Sequence, residues 1–141
     1  MSEFKLKVEK TYFKKVKITQ SSDAYNVIKQ FYNDDIEIYE SFFLLLLNRA
    51  NNTIGYVKIS QGGTVGTVVD VKLIAKYAVD SLACSVILAH NHPSGNKQPS
   101  QADRNMTEKV KEALKLFEIQ VLDHIILTSE SYFSFGDEGI I

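Results

Sequence analysis

The sequence predicts an α/β fold, a mixed β-sheet with flanking helices. Three observations carry this. Short apolar runs bounded by turn residues alternate with stretches of helical period. The apolar fraction of 45% and charged fraction of 23% are those of an ordinary globule. The 141 residues are enough to fold without a metal or disulfide as a staple. A single domain is expected over 1–141, with 1–20 as an N-terminal strand or arm.

The elements follow in order. Phe4, Leu6 and Val8 alternate with polar residues, as in an edge strand guarded by lysines. Ser21-Ser22-Asp23 offers N-caps ahead of a helix from about Ala24 to Tyr32. Asn33-Asp34-Asp35 is a turn, and Ile38 to Leu47 reads as a central buried strand. Thr53 to Ser60 pairs back on it as a hairpin, and Gly62-Gly63 breaks that strand ahead of another from Thr64 to Val69. Asp70 caps a helix to about Leu82, with Leu73, Ile74, Tyr77 and Ala78 on one face. Ser85 to His90 is a short buried strand. Ser100 opens a helix to about Phe117, striped by Met106, Val110, Ala113, Leu114 and Phe117. Val121 to Thr128 is a strand, and Tyr132 to Phe135 a last short one.

Composition excludes several classes. The longest unbroken apolar run, Phe42 to Leu47, is far short of the ~20 residues that span a bilayer. The N-terminus has no apolar signal-peptide core, so the expected location is the cytoplasm. The lone Cys84 excludes an internal disulfide and multi-cysteine zinc sites, and reads as an inert buried thiol. The net charge of −1 is not that of a basic nucleic-acid binder. Six lysines against two glutamates fall in the first twenty residues, leaving ten basic and fifteen acidic residues for the remainder. That arm, with Lys97 and Arg104, is the only feature suited to nucleic acid. As an edge strand the arm would instead offer pairing to a second copy, a homodimer.

The informative segment runs from His90 to Asp103. His90 and His92 are spaced i, i+2 and leave the same face of an extended strand end, where two imidazoles can share one metal. Asp103 opens the next helix, three residues after Ser100, and a folded-back loop can bring its carboxylate to the same ion. Two His and one carboxylate leave a fourth position open for water, the arrangement of a catalytic zinc site. The residues alone also allow plainer readings: core histidines, and a Ser100/Asp103 capping box.

Glu40 makes the pattern specific. Glu40, the apolar strand from Phe42, His90-x-His92, seven residues, Ser100, two residues and Asp103 together resemble the JAMM motif of JAB/MPN-type zinc metalloproteases. His90-Asn91-His92-Pro93-Ser94-Gly95, Pro99-Ser100 and Leu122-Asp123-His124-Ile125 narrow the resemblance to RadC-type JAB proteins, from about Ser21 to the C-terminus. The resemblance implies a three-layer, cytidine-deaminase-like fold and one Zn2+ held by His90, His92 and Asp103. It implies that Glu40 would take a proton from the zinc-activated water and deliver it to the leaving group, and that Ser100 would donate to the developing oxyanion. Many such proteins carry a helix-hairpin-helix segment ahead of this domain, and the chain is expected to be a stand-alone form without it.

The expected function is therefore a zinc-dependent metallopeptidase acting on peptide or isopeptide bonds. The alternative is a DNA repair or recombination-associated binding module without proteolysis. The His-Asn-His letters do not make an HNH nuclease, whose ligands are dispersed. Asp123 and His124 fall on opposite faces of a strand and read as structural, and Lys58 as a solvated lysine.

Overall fold

A computed structural model describes residues 1–63 and 68–141. Five strands form one sheet: β1 (Ser41–Leu47), β2 (Thr53–Gln61), β3 (Ser85–Asn91), β4 (Gln120–Leu127) and β5 (Tyr132–Ser134). Their order is β2-β1-β3-β4-β5. β1 is antiparallel to both β2 and β3, β3 and β4 are parallel, and β5 returns antiparallel to β4. Three helices cover the sheet: α1 (Ser21–Lys29), α2 (Val71–Asp80) and α3 (Gln101–Lys115). α3 is the crossover that a parallel β3–β4 pair requires.

Side-chain alternation splits the core into two layers. Phe42, Leu44, Leu46, Val86 and Leu88 face Ile74 and Ala78 of α2 and Val110 and Leu114 of α3. Leu45, Leu47, Ile87, Ala89, Ile125 and Leu127 face Ala24, Val27 and Ile28 of α1. Every residue of β1 and β3 is therefore buried, which is why both read as continuous apolar runs. The architecture is the expected mixed sheet with flanking helices, in three layers.

Several local expectations change. α1 starts at Ser21, and its N-cap Gln20 makes no side-chain bond. Asp23 reaches back instead, accepting from the Thr19 N–H at 2.9 Å and its hydroxyl at 2.7 Å. β1 starts at Ser41, because Asp35 to Tyr39 close into hydrogen-bonded turns. Residues 1–16 form no strand. Phe4, Leu6 and Val8 are exposed, so no buried face fixes a register, and pairing is limited to a bridge from Lys17 to Asn52. The strand expected over Thr64 to Val69 falls mostly outside the described residues, and its last two residues are in no strand. Leu73 and Phe117 are exposed. α3 stops at Lys115, short of Phe117. Cys84 is exposed rather than buried, since Ala83 and Ser85 on either side of it take the inward positions. No helix among the described residues is long and apolar enough to cross a membrane.

Candidate metal centre

Topology brings the distant residues together. β1 runs antiparallel to β3 with Phe42 opposite His90, so the start of β1, preceded by Glu40, lies beside the end of β3. α3 begins after the loop that follows β3, at the same end of the sheet. This is the crevice beyond the carboxyl ends of parallel strands, where α/β sheets place their sites.

His90 is the last residue but one of β3, on the α2/α3 side, and the backbone of His92 extends the ladder by donating to the Leu127 carbonyl at 2.9 Å. The chain then reverses in a β-turn, closed by a Gly95 N–H to His92 carbonyl bond of 3.0 Å. Pro93 takes the second position, where its fixed φ suits the turn, and Gly95 adopts φ +87°, a conformation that favours glycine. The turn carries the Asn96 carbonyl back to His92 Nδ1, at 2.7 Å.

Ser100 caps α3. Its hydroxyl oxygen accepts from the Asp103 N–H at 3.0 Å, and Asp103 Oδ2 accepts from the Ser100 N–H at 2.9 Å. The capping box and the carboxylate's approach to the histidines coexist. Capping uses lone pairs of Asp103 and leaves its oxygens 3.3 Å from His90 Nε2 and 3.2 Å from His92 Nε2. The two Nε2 atoms are 3.0 Å apart. The Glu40 carboxylate lies within 4.8 Å of both imidazoles.

These distances suit a metal ion. A tetrahedral ion with bonds of 2.0–2.1 Å separates neighbouring ligand atoms by about 3.3 Å. The two imidazole Nε2 atoms are 3.0 Å apart, Asp103 brings one oxygen to each of them at 3.3 and 3.2 Å, and Glu40, His90 and His92 each offer one ligand atom within 4.8 Å of the others. Two imidazole lone pairs converging beside carboxylates also create a place for positive charge. Burial of His92 works against its charged form. The bonds to Asp103 and to the Asn96 carbonyl, with the charges of Asp103 and Glu40, outweigh burial and hold its pKa above the ordinary value. Burial likewise opposes ionisation of Asp103. The bonds from His90 and His92, the His90 charge and the Ser100 N–H overcome it and hold the carboxyl well below the usual range.

The cleft over this cluster is lined by Glu40, Phe42, Val69, His90, Ala102, Asp103 and Met106. Ser100 is not in that lining. It is exposed at the helix start, and with its oxygen accepting the cap bond its hydroxyl proton stays available to donate.

Three polar residues that sequence reasoning gave no site role complete the surroundings. Asn91 is fully buried on the opposite face of β3. Its amide donates to the carbonyls of Ile36 and Tyr39 and accepts from the Ser41 N–H at 2.8 Å. It thus grips the main chain on both sides of Glu40. On the histidine side, His124 Nε2 lies 2.7 Å from His90 Nδ1, and Thr107 Oγ1 lies 2.6 Å from His124 Nδ1. Burial, then the charge of His90, pushes the pKa of His124 far down, against the pull of Asp103. The sequence signal for Asn91 was its place between the two histidines. For Thr107 it was a β-branched polar residue one helical turn after Asp103.

The RadC-like JAB domain family model matches residues 18–140 of the chain. A UPF0758 protein of Flavobacterium johnsoniae is 43% identical over 124 residues, 88% of this chain and 53% of that protein. One from Porphyromonas gingivalis is 42% identical over 125 residues, 88% of this chain and 54% of that protein. UPF0758 protein YfjY of Escherichia coli is 39% identical over 102 residues, 72% of this chain and 64% of that protein. The chain thus spans about half the length of the first two relatives. A metal-fitting cluster at the mouth of a three-layer α/β domain, and a family match over nearly all the chain, lead to one conclusion: the chain belongs to the RadC-like JAB domain family.

Proposed function

We propose that the protein is a zinc-dependent hydrolase of peptide or isopeptide bonds. The observation that carries this reading is the convergence of His90 Nε2, His92 Nε2 and the Asp103 carboxylate within 3.3 Å of one another, with a second carboxylate, Glu40, beside them. His90, His92 and Asp103 would hold the ion, which when bound supplies Lewis acidity and lowers the pKa of water toward ~7. The rest is the work of the chain. Glu40, fixed through its main chain by Asn91 and by the Gly62 N–H to Glu40 carbonyl bond of 2.8 Å, takes the proton of the attacking water and returns it to the leaving amine. The Ser100 hydroxyl donates to the developing oxyanion, a role that in other hydrolases is worth ~2.7–4 kcal/mol.

The cleft favours a polypeptide over nucleic acid. Beside His90, Glu40 and Asp103 its walls are the apolar side chains Phe42, Val69, Ala102 and Met106, which accept peptide, and none of its lining residues is a lysine or arginine that would hold phosphate.

The test is Glu40→Gln. The variant is expected to keep bound zinc, measured as metal per chain, and to lose about 10²–10⁴-fold in turnover across a panel of peptide and isopeptide substrates. Full activity with full zinc would remove Glu40 from the mechanism, and a wild-type protein with no zinc affinity would remove the metal centre itself.

A further inference from the structure

We infer that His124 and Thr107 are positioning residues that fix the tautomer of His90, so that its Nε2 lone pair faces the metal position. The inference rests on the metal-centre reading and assigns a role to two residues outside the ligand set.

The argument is a count of protons along one chain of contacts. Thr107 Oγ1 lies 2.7 Å from the main-chain carbonyl of Asp103. A carbonyl only accepts, so the hydroxyl's one proton points there. Thr107 Oγ1 then has only lone pairs to offer His124 Nδ1, 2.6 Å away, so Nδ1 carries the proton of that ring. His124 is fully buried among aromatic rings, with Phe135 stacked on it at 4.6 Å and Phe42 edge-on at 5.7 Å. A neutral ring in that setting has a bare Nε2, which accepts from His90 Nδ1 at 2.7 Å. A neutral His90 with its proton on Nδ1 presents a lone pair at Nε2, the atom facing His92 and Asp103. The direction of every bond follows from one carbonyl that cannot donate. His92 Nδ1 likewise faces an acceptor, the Asn96 carbonyl at 2.7 Å, by a shorter route. Asp103 contributes its side chain to the cluster and its main chain to the anchor, so the helix start sets both.

Asp123 serves the same arrangement. Its carboxylate accepts from the Ser134 hydroxyl at 2.6 Å and the Gly136 N–H at 2.8 Å. The Phe135 N–H between them donates to the His124 carbonyl at 3.0 Å. These bonds seat the Phe135 ring over His124. A Cβ at Gly136 would lie 3.3 Å from Asp123 Oδ1, so any larger residue there would crowd the carboxylate.

The first experiment reads the tautomers directly, by long-range 1H–15N spectra of the wild-type imidazoles in chelator. His124 is expected as the Nδ1–H form, and a His124 Nε2–H form overturns the inference. The second measures zinc affinity by competition with a chelating dye. Thr107→Val keeps the shape of the side chain but leaves the His124 Nδ1 proton without an acceptor. The ring then places its proton on Nε2, and His90 must carry its own on the metal side. Affinity is expected to fall about 10–100-fold, the usual cost of losing an outer-shell partner. Thr107→Ser, which restores the hydroxyl, is expected to recover most of it. Melting in chelator checks that each variant is folded. A folded Thr107→Val with wild-type affinity overturns the relay, and if that variant does not fold, the wild-type spectrum decides. Absence of zinc binding by the wild type overturns the metal centre and is a separate result, because the spectrum is recorded without metal.

Discussion

The end of β3 sends buried polar groups to both faces of the sheet, and the two faces are held in different ways. Toward α2 and α3, His90 is fixed by a relay of side chains, His124 and Thr107, that ends on a carbonyl of α3. Toward α1, Asn91 is fixed by main chain alone, the carbonyls of Ile36 and Tyr39 and the N–H of Ser41. The first arrangement controls which nitrogen of a ring carries a proton. The second controls where a stretch of backbone lies, and so where Glu40 stands. One strand end, through the two-residue alternation of side chains, thus governs the proposed metal ligands from one face and the proposed proton acceptor from the other. All these buried side-chain polar atoms are satisfied, as a network must be if it is to stabilise a single geometry.

The largest expected effect separates the two histidines of the ligand face. His90→Ala and His92→Ala should both abolish zinc binding, but only the first should weaken the metal-free fold substantially. Removing His90 leaves the buried Nε2 of His124 without a partner, a loss of about 1–3 kcal/mol. His92 lies half-buried at the rim and leaves no fully buried partner behind, so its loss should cost less than that of His90. Denaturant melts in chelator check this. Equal losses in the two variants would mean that the inner and outer ligands are held alike.

Next comes the opposite face. Asn91→Ala orphans the Ser41 N–H together with two carbonyls, and a single buried unsatisfied group costs about 1–3 kcal/mol. Zinc affinity should stay near wild type while turnover falls, since the variant moves Glu40 and not the ligands. A parallel loss of zinc affinity, measured by dye competition, would show that the two faces are not independent.

The smallest expected effect falls on the rim. Ser100→Ala removes the N-cap of α3 and should lower stability by about 0.5–2 kcal/mol, read from the melting midpoint in chelator. Because the Asp103 carboxylate also leans on the Ser100 main-chain N–H, which alanine keeps, zinc should still bind. Turnover lowered beyond what the stability change explains would support the hydroxyl as the oxyanion donor.

By itself, the sequence determined the parts that depend on local order. The i, i+2 histidines at a strand end, the Ser100–Asp103 spacing at a helix start and the buried runs of β1 and β3 follow from short-range periodicity and capping, which are legible without coordinates. Glu40 was legible only through a resemblance, because its approach to His90 comes from the antiparallel pairing of β1 with β3, fifty residues apart in the chain. Tertiary structure alone decided the rest. Alternation correctly set Asp123 and His124 on opposite faces of β4, but it could not say that His124 meets His90, since that contact needs the parallel register of β3 and β4. It could not say that Thr107, on the buried face of α3, would complete the relay. Nor could it refuse a strand to Phe4, Leu6 and Val8, whose alternation is real but finds no partner sheet to bury it. Periodicity reports which side of an element an atom faces; what waits on that side is settled by packing.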